Sequence, residues 1–181
     1  MIEKDYKVLI EQKQYKKIVK QFEFSQPFIQ INFYYKENQS NYLDTTIRVR
    51  AIKERINLQV KEFIARENGI CGRKEYQKRL DTVPHIIEGQ TLNELCKTDK
   101  YQDSFLMGML ITERKIAQIE DCVIVLDINH YCGITDYELE VEFDKEISPN
   151  ILKILRQENL YKKENAKGKY ERFAIQILKT M

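Results

Sequence analysis

Alternation of apolar and polar side chains with a period of two dominates this chain of 181 residues. Such alternation is typical of β-strands, whose successive side chains point to opposite faces of a sheet. It predicts eight strands, at residues 2–9, 28–36, 44–53, 55–64, 72–80, 110–119, 122–130 and 135–143. Most neighbouring strands lack the crossover helix that parallel pairing needs. The sequence therefore predicts an α+β, mainly β fold: an eight-stranded antiparallel sheet that curls or closes into a barrel (a tunnel) with surrounding helices.

Four helices are predicted beside these strands. Apolar residues at helical spacing indicate helices at 11–24 and 83–96, and a third follows the capping pair Ser148-Pro149. A fourth covers the C-terminal end, while the pattern at 99–110 is ambiguous. No repeat, flexible linker or long run of one charge divides the chain, so we expect a single domain over the whole length, 1–181.

The composition excludes several classes of protein. The 30 basic and 28 acidic residues give a net charge of +2, too balanced for a general binder of double-stranded nucleic acid or of membranes. No stretch approaches 18 apolar residues, which predicts a cytoplasmic protein without a membrane-spanning helix. The four cysteines and two histidines have no metal-site spacing, so we expect reduced thiols and no zinc site.

The polar faces of the predicted strands are sorted by charge. The first and last strands carry carboxylates: Glu3, Asp5, Glu138, Glu140 and Glu142. The strands between them carry basic side chains: Arg48, Arg50, Lys61, Arg73, Arg79 and Arg114. A solvent face explains any single alternating strand, but a solvated sheet normally mixes signs because adjacent like charges repel. If the barrel closes, its terminal strands become neighbours and gather the carboxylates opposite a basic wall.

Each half of this pattern has a natural ligand. Clustered carboxylates with few histidines or thiols are the ligands of a hard divalent cation such as Mg²⁺ or Mn²⁺. Several arginines and lysines suit an anion with many oxygens, and the planar guanidinium matches phosphate well. A metal beside a phosphate cradle is what phosphoryl transfer requires. The expected partner is therefore a small molecule that carries a polyphosphate.

Short segments of the chain resemble, in order, those of the CYTH superfamily, also called triphosphate tunnel metalloenzymes. Glu3-Lys4-Asp5-Tyr6-Lys7 resembles the Glu-x-Glu-x-Lys signature of that superfamily. The later segments are Ile47-Arg48-Val49-Arg50, Leu58-Gln59-Val60-Lys61, Arg73-Lys74-Glu75, Arg114, Asp127, Asp136-Tyr137-Glu138-Leu139-Glu140 and Gly168-Lys169-Tyr170-Glu171-Arg172. The resemblance covers residues 2 to about 173, nearly the whole chain.

The resemblance implies an eight-stranded antiparallel tunnel and divalent-metal-dependent hydrolysis of triphosphates. It makes Glu3, Asp5 and Glu140 metal ligands, with Asp127 and Glu138 assisting or orienting basic groups. The implied catalytic and triphosphate-binding set is Lys7, Arg48, Arg50, Lys61, Arg114 and Lys169, with Arg73 as a further binding residue. Three features depart from the pattern: Asp5 stands where the signature has glutamate, Tyr34-Tyr35-Lys36-Glu37 where the family commonly has a Tyr-Tyr-Asp-Thr-like segment, and Gly168 where the family usually has serine.

The leading hypothesis is a triphosphatase that uses Mg²⁺ or Mn²⁺ and acts on inorganic tripolyphosphate or a small organic triphosphate. A class IV adenylate cyclase, which forms cyclic AMP from ATP, is the main alternative, and thiamine triphosphate hydrolysis is another. A cyclase needs a pocket that places the nucleoside. The candidates for contacts to the nucleoside are Asn32, Tyr34 and Tyr35. A non-catalytic module that binds polyphosphate or RNA ends is a third class. The chain is expected to be a monomer or a homodimer.

Overall fold

A computed structural model describes residues 4–37, 45–67, 70–162 and 166–180, with side chains except those of 63–67, 70–73 and 180. The strands of this part are β1 (Lys4–Ile10), β2 (Phe28–Glu37), β3 (Thr45–Ile52), β4 (Arg55–Glu67), β5 (Ile70–Leu80), β6 (Ile86–Ile87), β7 (Ser104–Ile119), β8 (Cys122–Tyr131) and β9 (Ile134–Phe143). The helices are α1 (Gln12–Ile18), α2 (Gly89–Cys96), α3 (Pro149–Gln157) and α4 (Lys169–Thr180).

Contacts divide the chain into two compact units, each built from two separate segments. The first unit comprises Met1–Ile29 and Thr112–Lys167, and the second comprises Gln30–Ile111 and Gly168–Met181. Strand β7 contributes its C-terminal half to the first unit and its N-terminal half to the second.

The first unit is an antiparallel sheet with one apolar and one polar face. Its strand order is β1-β9-β8-β7, and β9 pairs with both β1 and β8. Alternate residues of these strands, such as Val8, Leu126 and Leu139, are buried in one core together with residues of α1 and α3. Because strand residues alternate between faces, the intervening polar residues of β1, β8 and β9 share the opposite face. That face carries the carboxylates considered below.

The strands of the second unit also have one apolar and one polar face, and they belong to the same nine-stranded sheet. The strand order within this unit runs from the N-terminal half of β7 through β2, β3 and β4 to β5, and β6 pairs with β7. Val49 and Leu58 lie in a core that Leu92 of α2 also enters, so Arg48 and Arg50 lie on the other face.

Helix α4 begins with Lys169 and is held to β2 by aromatic contacts. The ring centroid of Tyr34 lies 5.1 Å from that of Tyr170 and 5.0 Å from that of Phe173. Phe173 also lies against Gly108, whose φ of 154° falls in a region that favours glycine, and a Cβ there would come within 3.2 Å of the ring. These contacts fix the end of α4 that carries Lys169.

The structure confirms the predicted mainly β, antiparallel class with helices. The described part has nine strands rather than eight, because the two-residue β6 was not expected. The ambiguous segment 99–110 includes the start of β7. Among the described pairings β1 joins only β9 and β5 joins only β4, so neither unit closes its sheet into a barrel by itself. In the part of the chain that is described, no helix has the length and apolar character needed to cross a membrane.

Candidate functional site

Three buried carboxylates of the first unit form an acidic cluster: Asp127 of β8 with Glu138 and Glu140 of β9. One oxygen of each lies within 4.8 Å of the others. The register explains this closeness, since Asp127 stands directly opposite Glu138 and Glu140 follows two residues further on the same face. Asp127 and Glu138 are fully buried and Glu140 nearly so. Buried, converging carboxylate oxygens are a fitting donor set for a hard divalent cation.

Lys7 of β1 joins this cluster from the neighbouring strand. It stands opposite Glu140 in the β1–β9 register, and its Nζ donates to Glu140 Oε1 at 2.9 Å. It also donates to Asp5 Oδ2, two residues along the same strand face. Burial alone lowers the pKa of Lys7, but the carboxylates of Glu140 and Asp5 outweigh it and raise the pKa above its ordinary value. Lys7 is therefore charged at any physiological pH.

Arg114 of β7 reaches the cluster from the other side of β8. Its Nε donates to Asp127 Oδ1 at 2.9 Å and its Nη2 to Oδ2 at 2.8 Å, a bidentate pair. Thus Asp127 both orients a basic group and belongs to the carboxylate cluster.

A hydrogen-bonded network continues the same polar face along β7, β8 and β9. Thr112 Oγ1 donates to Asn129 Oδ1 at 2.8 Å, and Asn129 Nδ2 donates to Asp136 Oδ1 at 2.9 Å. Tyr131 OH donates to Asp136 Oδ2 at 2.7 Å. Because Asn129 lies two residues from Asp127, this network fixes the strand segments that carry the acidic cluster.

The basic row, Arg48, Arg50 and Lys61, lies on one sheet face of the second unit. Arg48 Nε donates to Gln59 Oε1 at 2.9 Å, and Arg50 Nε donates to Asn32 Oδ1 at 2.9 Å. Both acceptors are amide oxygens of the neighbouring strands β4 and β2. An amide oxygen orients a guanidinium group without neutralising its charge, which suits a site for anions.

Lys61 lies in the positive electrostatic field of Arg48 and Arg50. Burial and the charges of Arg48 and Arg50 lower its pKa, although an ion pair with Glu75 of β5 opposes the shift. The same basic groups lower the pKa of Glu75 despite its burial. An anion bound here would relieve the repulsion among the three basic side chains.

The remaining residues implied by the resemblance are placed less fully. Glu3 lies outside the described residues, and so does the side chain of Arg73. The backbone of Arg73 in β5 pairs with that of Phe63 in β4. Lys169 is half-buried at the start of α4 in the second unit. The first unit thus holds Asp5, Lys7, Arg114, Asp127, Glu138 and Glu140, and the second holds Arg48, Arg50, Lys61 and Lys169.

The sequence reasoning missed the amide side chains that hold the arginines. In the sequence Gln59 stands out only within the segment Leu58-Gln59-Val60-Lys61, and Asn32 only as a candidate contact to a nucleoside. Gln30, Asn32 and Tyr34 alternate with apolar residues on β2, so a polar inward face could have been predicted from that spacing.

The family model of the CYTH domain matches residues 1–173. A candidate adenylate cyclase from Bacillus halodurans has a TM-score of 0.69 at 19% identity, over 96% of this chain and 99% of that one. An adenylyl cyclase candidate from Hippeastrum, for which a dominant triphosphatase activity is described, has a TM-score of 0.68 at 15% identity, over 97% and 96%. A Pyrococcus horikoshii protein has a TM-score of 0.62 at 17% identity, over 99% of both chains. No curated protein matches in sequence.

Proposed function

Because this chain belongs to the CYTH domain family, we propose that it is a divalent-metal-dependent triphosphatase acting on inorganic tripolyphosphate or a small organic triphosphate. The observation that carries the proposal is the buried acidic cluster of Asp127, Glu138 and Glu140, with oxygens within 4.8 Å of one another. Lys7 and Arg114 each pair with one of these carboxylates, and the converging oxygens of the three side chains also form a fitting donor set for a hard divalent cation. A binding module for polyphosphate has no use for such a cluster, so the cluster favours an enzyme.

The acidic cluster would hold Mg²⁺ or Mn²⁺, with Asp5 and Glu3 as further ligands on β1 and the residues before it. When bound, such a cation supplies charge neutralisation at phosphate oxygens and activation of water. Lys7 contacts two of these carboxylates and stays protonated, so it adds positive charge beside the phosphate. Arg114 is held in one orientation by Asp127.

The basic row binds the triphosphate chain. Arg48 and Arg50 are oriented through Nε by uncharged amide oxygens, and their planar guanidinium groups match the oxygens of a phosphate. Lys61 and Lys169 add two ammonium groups from the same unit, and Arg73 of β5 is a further candidate. In hydrolysis, water attacks a phosphorus, the bridging P–O bond breaks, and these groups stabilise the charge that develops on the leaving phosphate.

A hydrolase is favoured over a cyclase because the proposed nucleoside contacts are engaged elsewhere. Tyr35 lies in the core of the second unit, and its OH donates to the Pro84 carbonyl. Tyr34 is fully buried against Tyr170 and Phe173. Neither ring can stack on an adenine without repacking of these contacts. The Bacillus halodurans and Hippeastrum proteins are both described as candidate adenylate cyclases, and a dominant triphosphatase activity is described for the Hippeastrum protein.

A product screen tests the proposal. Tripolyphosphate, ATP and thiamine triphosphate are each incubated with the protein and Mg²⁺ or Mn²⁺, and the products are separated. We expect tripolyphosphate to yield orthophosphate and pyrophosphate faster than ATP yields any product. Cyclic AMP and pyrophosphate as the main products of ATP would favour the cyclase instead. No turnover, together with a higher melting temperature in tripolyphosphate, would favour the binding module.

A further inference from the structure

Three residues of β2 present buried polar atoms that have no hydrogen-bond partner. Gln30, Asn32 and Tyr34 follow one another on the same face of the strand, because residues two apart point the same way. All three are essentially inaccessible to solvent. Gln30 Nε2, Asn32 Nδ2 and Tyr34 OH each lack a partner within the described part of the chain. Leaving a buried donor unpaired is costly, so such a row calls for an explanation.

The orientation of the Asn32 amide is fixed by its neighbour. Its Oδ1 accepts the hydrogen bond from Arg50 Nε at 2.9 Å. Guanidinium nitrogens donate only, so the oxygen of the amide must be the atom that faces Arg50. The unpartnered atom of Asn32 is therefore the Nδ2 group, which carries two donor hydrogens.

The residues around Asn32 indicate which kind of acceptor its Nδ2 group would bind. Asn32 stands opposite Arg50 in the β2–β3 register, and Tyr34 stands opposite Arg48. These two arginines also help to lower the pKa of Lys61, so the polar face they share is electropositive. A negatively charged oxygen gains from both the field and the donor, whereas a neutral ring nitrogen gains only from the donor.

We propose that Asn32 binds the substrate directly, donating through Nδ2 to a phosphate oxygen beside Arg50. Its amide thus has two tasks: the oxygen orients Arg50, and the nitrogen adds an uncharged donor to the phosphate site. Gln30, one position further along the strand face, extends the donor row. This inference rests on the proposed function, which it deepens by adding a binding residue that no charge pattern reveals.

The test is a double-mutant cycle on tripolyphosphate affinity, measured by calorimetry without divalent cations. Asn32→Ala should raise the dissociation constant at least about tenfold in the wild-type background. Arg50→Lys keeps a positive charge but loses the Nε donor that Asn32 orients. A loss of at least about threefold should persist when Asn32→Ala is made in the Arg50→Lys background, because the direct contact does not act through Arg50, whereas the orientation of Arg50 does. The control Asn57→Ala removes the amide opposite Arg50 on β4 and should change the dissociation constant less than about twofold.

The inference is wrong if the wild-type protein does not bind tripolyphosphate, or if Asn32→Ala leaves the dissociation constant unchanged. It is also wrong if Asn32→Ala loses no affinity in the Arg50→Lys background, or if Asn57→Ala loses as much affinity as Asn32→Ala. If Asn32→Ala fails to fold, a crystal structure of the wild-type protein with tripolyphosphate decides. An oxygen of the ligand within 3.5 Å of Asn32 Nδ2 supports the contact, and a longer distance rejects it.

The failure of this inference can be told apart from that of the proposed function. If the wild-type protein hydrolyses tripolyphosphate while Asn32→Ala binds it normally, only the role of Asn32 is wrong. If tripolyphosphate binds through Asn32 but is never hydrolysed with Mg²⁺ or Mn²⁺, the triphosphatase proposal is wrong and the contact stands.

Discussion

Both oxygens of the buried Asp127 carboxylate accept hydrogen bonds from the guanidinium group of Arg114, at 2.9 and 2.8 Å. Burial alone lowers the pKa of Arg114, but the charge of Asp127, with smaller contributions from Glu140 and Glu142, raises it above the ordinary value. A charge buried in this way is tolerated only while its partner remains. Asp127 therefore both orients Arg114 and stabilises the folded protein by compensating the buried charge of Arg114.

Replacing Asp127 by Asn should destabilise the protein by about 3 kcal/mol, because it leaves the Arg114 charge buried without its main partner. Urea unfolding followed by circular dichroism measures this loss as a lower midpoint with an unchanged slope. The control Glu54→Gln, at the exposed turn between β3 and β4, should lie within about 0.5 kcal/mol of the wild-type protein. A normal midpoint for Asp127→Asn would contradict the dependence of Arg114 on this pair.

Replacing Glu140 by Gln should lower metal-dependent turnover at least about tenfold, equivalent to about 1.4 kcal/mol of transition-state stabilisation. The change keeps the shape of the side chain but removes a charge from the acidic cluster, so the affinity for Mn²⁺ should fall as well. Turnover and a Mn²⁺ titration are measured side by side. The control Glu54→Gln should match the wild-type protein in turnover and in Mn²⁺ affinity. Full activity and normal Mn²⁺ affinity in Glu140→Gln would show that Glu140 is not a metal ligand.

Strand positions could be predicted from the sequence because alternation is a local property of each segment. Strands β3 and β8 were predicted to within one residue at each end. The start of β7 was not, since Phe105 to Leu110 is almost continuously apolar around Gly108 and fits neither period. The predicted helix at 11–24 ends at Ile18, beyond which the chain has no regular structure until β2.

The faces of the candidate site could also be predicted, but the contacts on them could not. Alternation places Arg48 and Gln59 on polar faces of their own strands, yet only the β3–β4 register sets them opposite each other. The same holds for Asn32 and Arg50 across β2 and β3. Register depends on the pairing of distant segments, which a single sequence does not encode in any one stretch.

Replacing Arg48 by Lys should impair tripolyphosphate turnover while the far-UV circular dichroism spectrum stays native. Lysine keeps the charge but loses both the bidentate fork and the Nε donor to Gln59. We expect kcat/KM to fall at least about tenfold. Arg55→Lys makes the same change at an exposed position at the start of β4 and should stay within about twofold of the wild-type value. Equal kcat/KM values in the two variants would show that Arg48 makes no contact with the substrate that lysine cannot replace.

Arg50→Lys should lower kcat/KM like Arg48→Lys, since Asn32 Oδ1 accepts a hydrogen bond from the Nε of Arg50 as Gln59 does from that of Arg48.

The affinity for tripolyphosphate should fall as the pH rises through the pKa of Lys61. Burial, Arg48 and Arg50 lower that pKa below the ordinary 10.5, so Lys61 loses its charge at a lower pH than an unperturbed lysine would. A neutral amine attracts phosphate oxygens less, and binding weakens. Folding stability has the opposite sign: between the two pKa values the unfolded chain binds more protons, so the contribution of Lys61 to stability rises with pH.

Calorimetry with tripolyphosphate between about pH 8 and about pH 10, without divalent cations, measures the affinity. Thermal unfolding over the same interval measures the stability, each compared with Lys61→Arg. Arginine keeps its charge throughout this range, so the variant should lose less affinity towards high pH and show no matching gain in stability. The two proteins differ only at the residue whose titration is in question. Parallel pH profiles for both would mean that another group controls the pH dependence and that Lys61 does not titrate early.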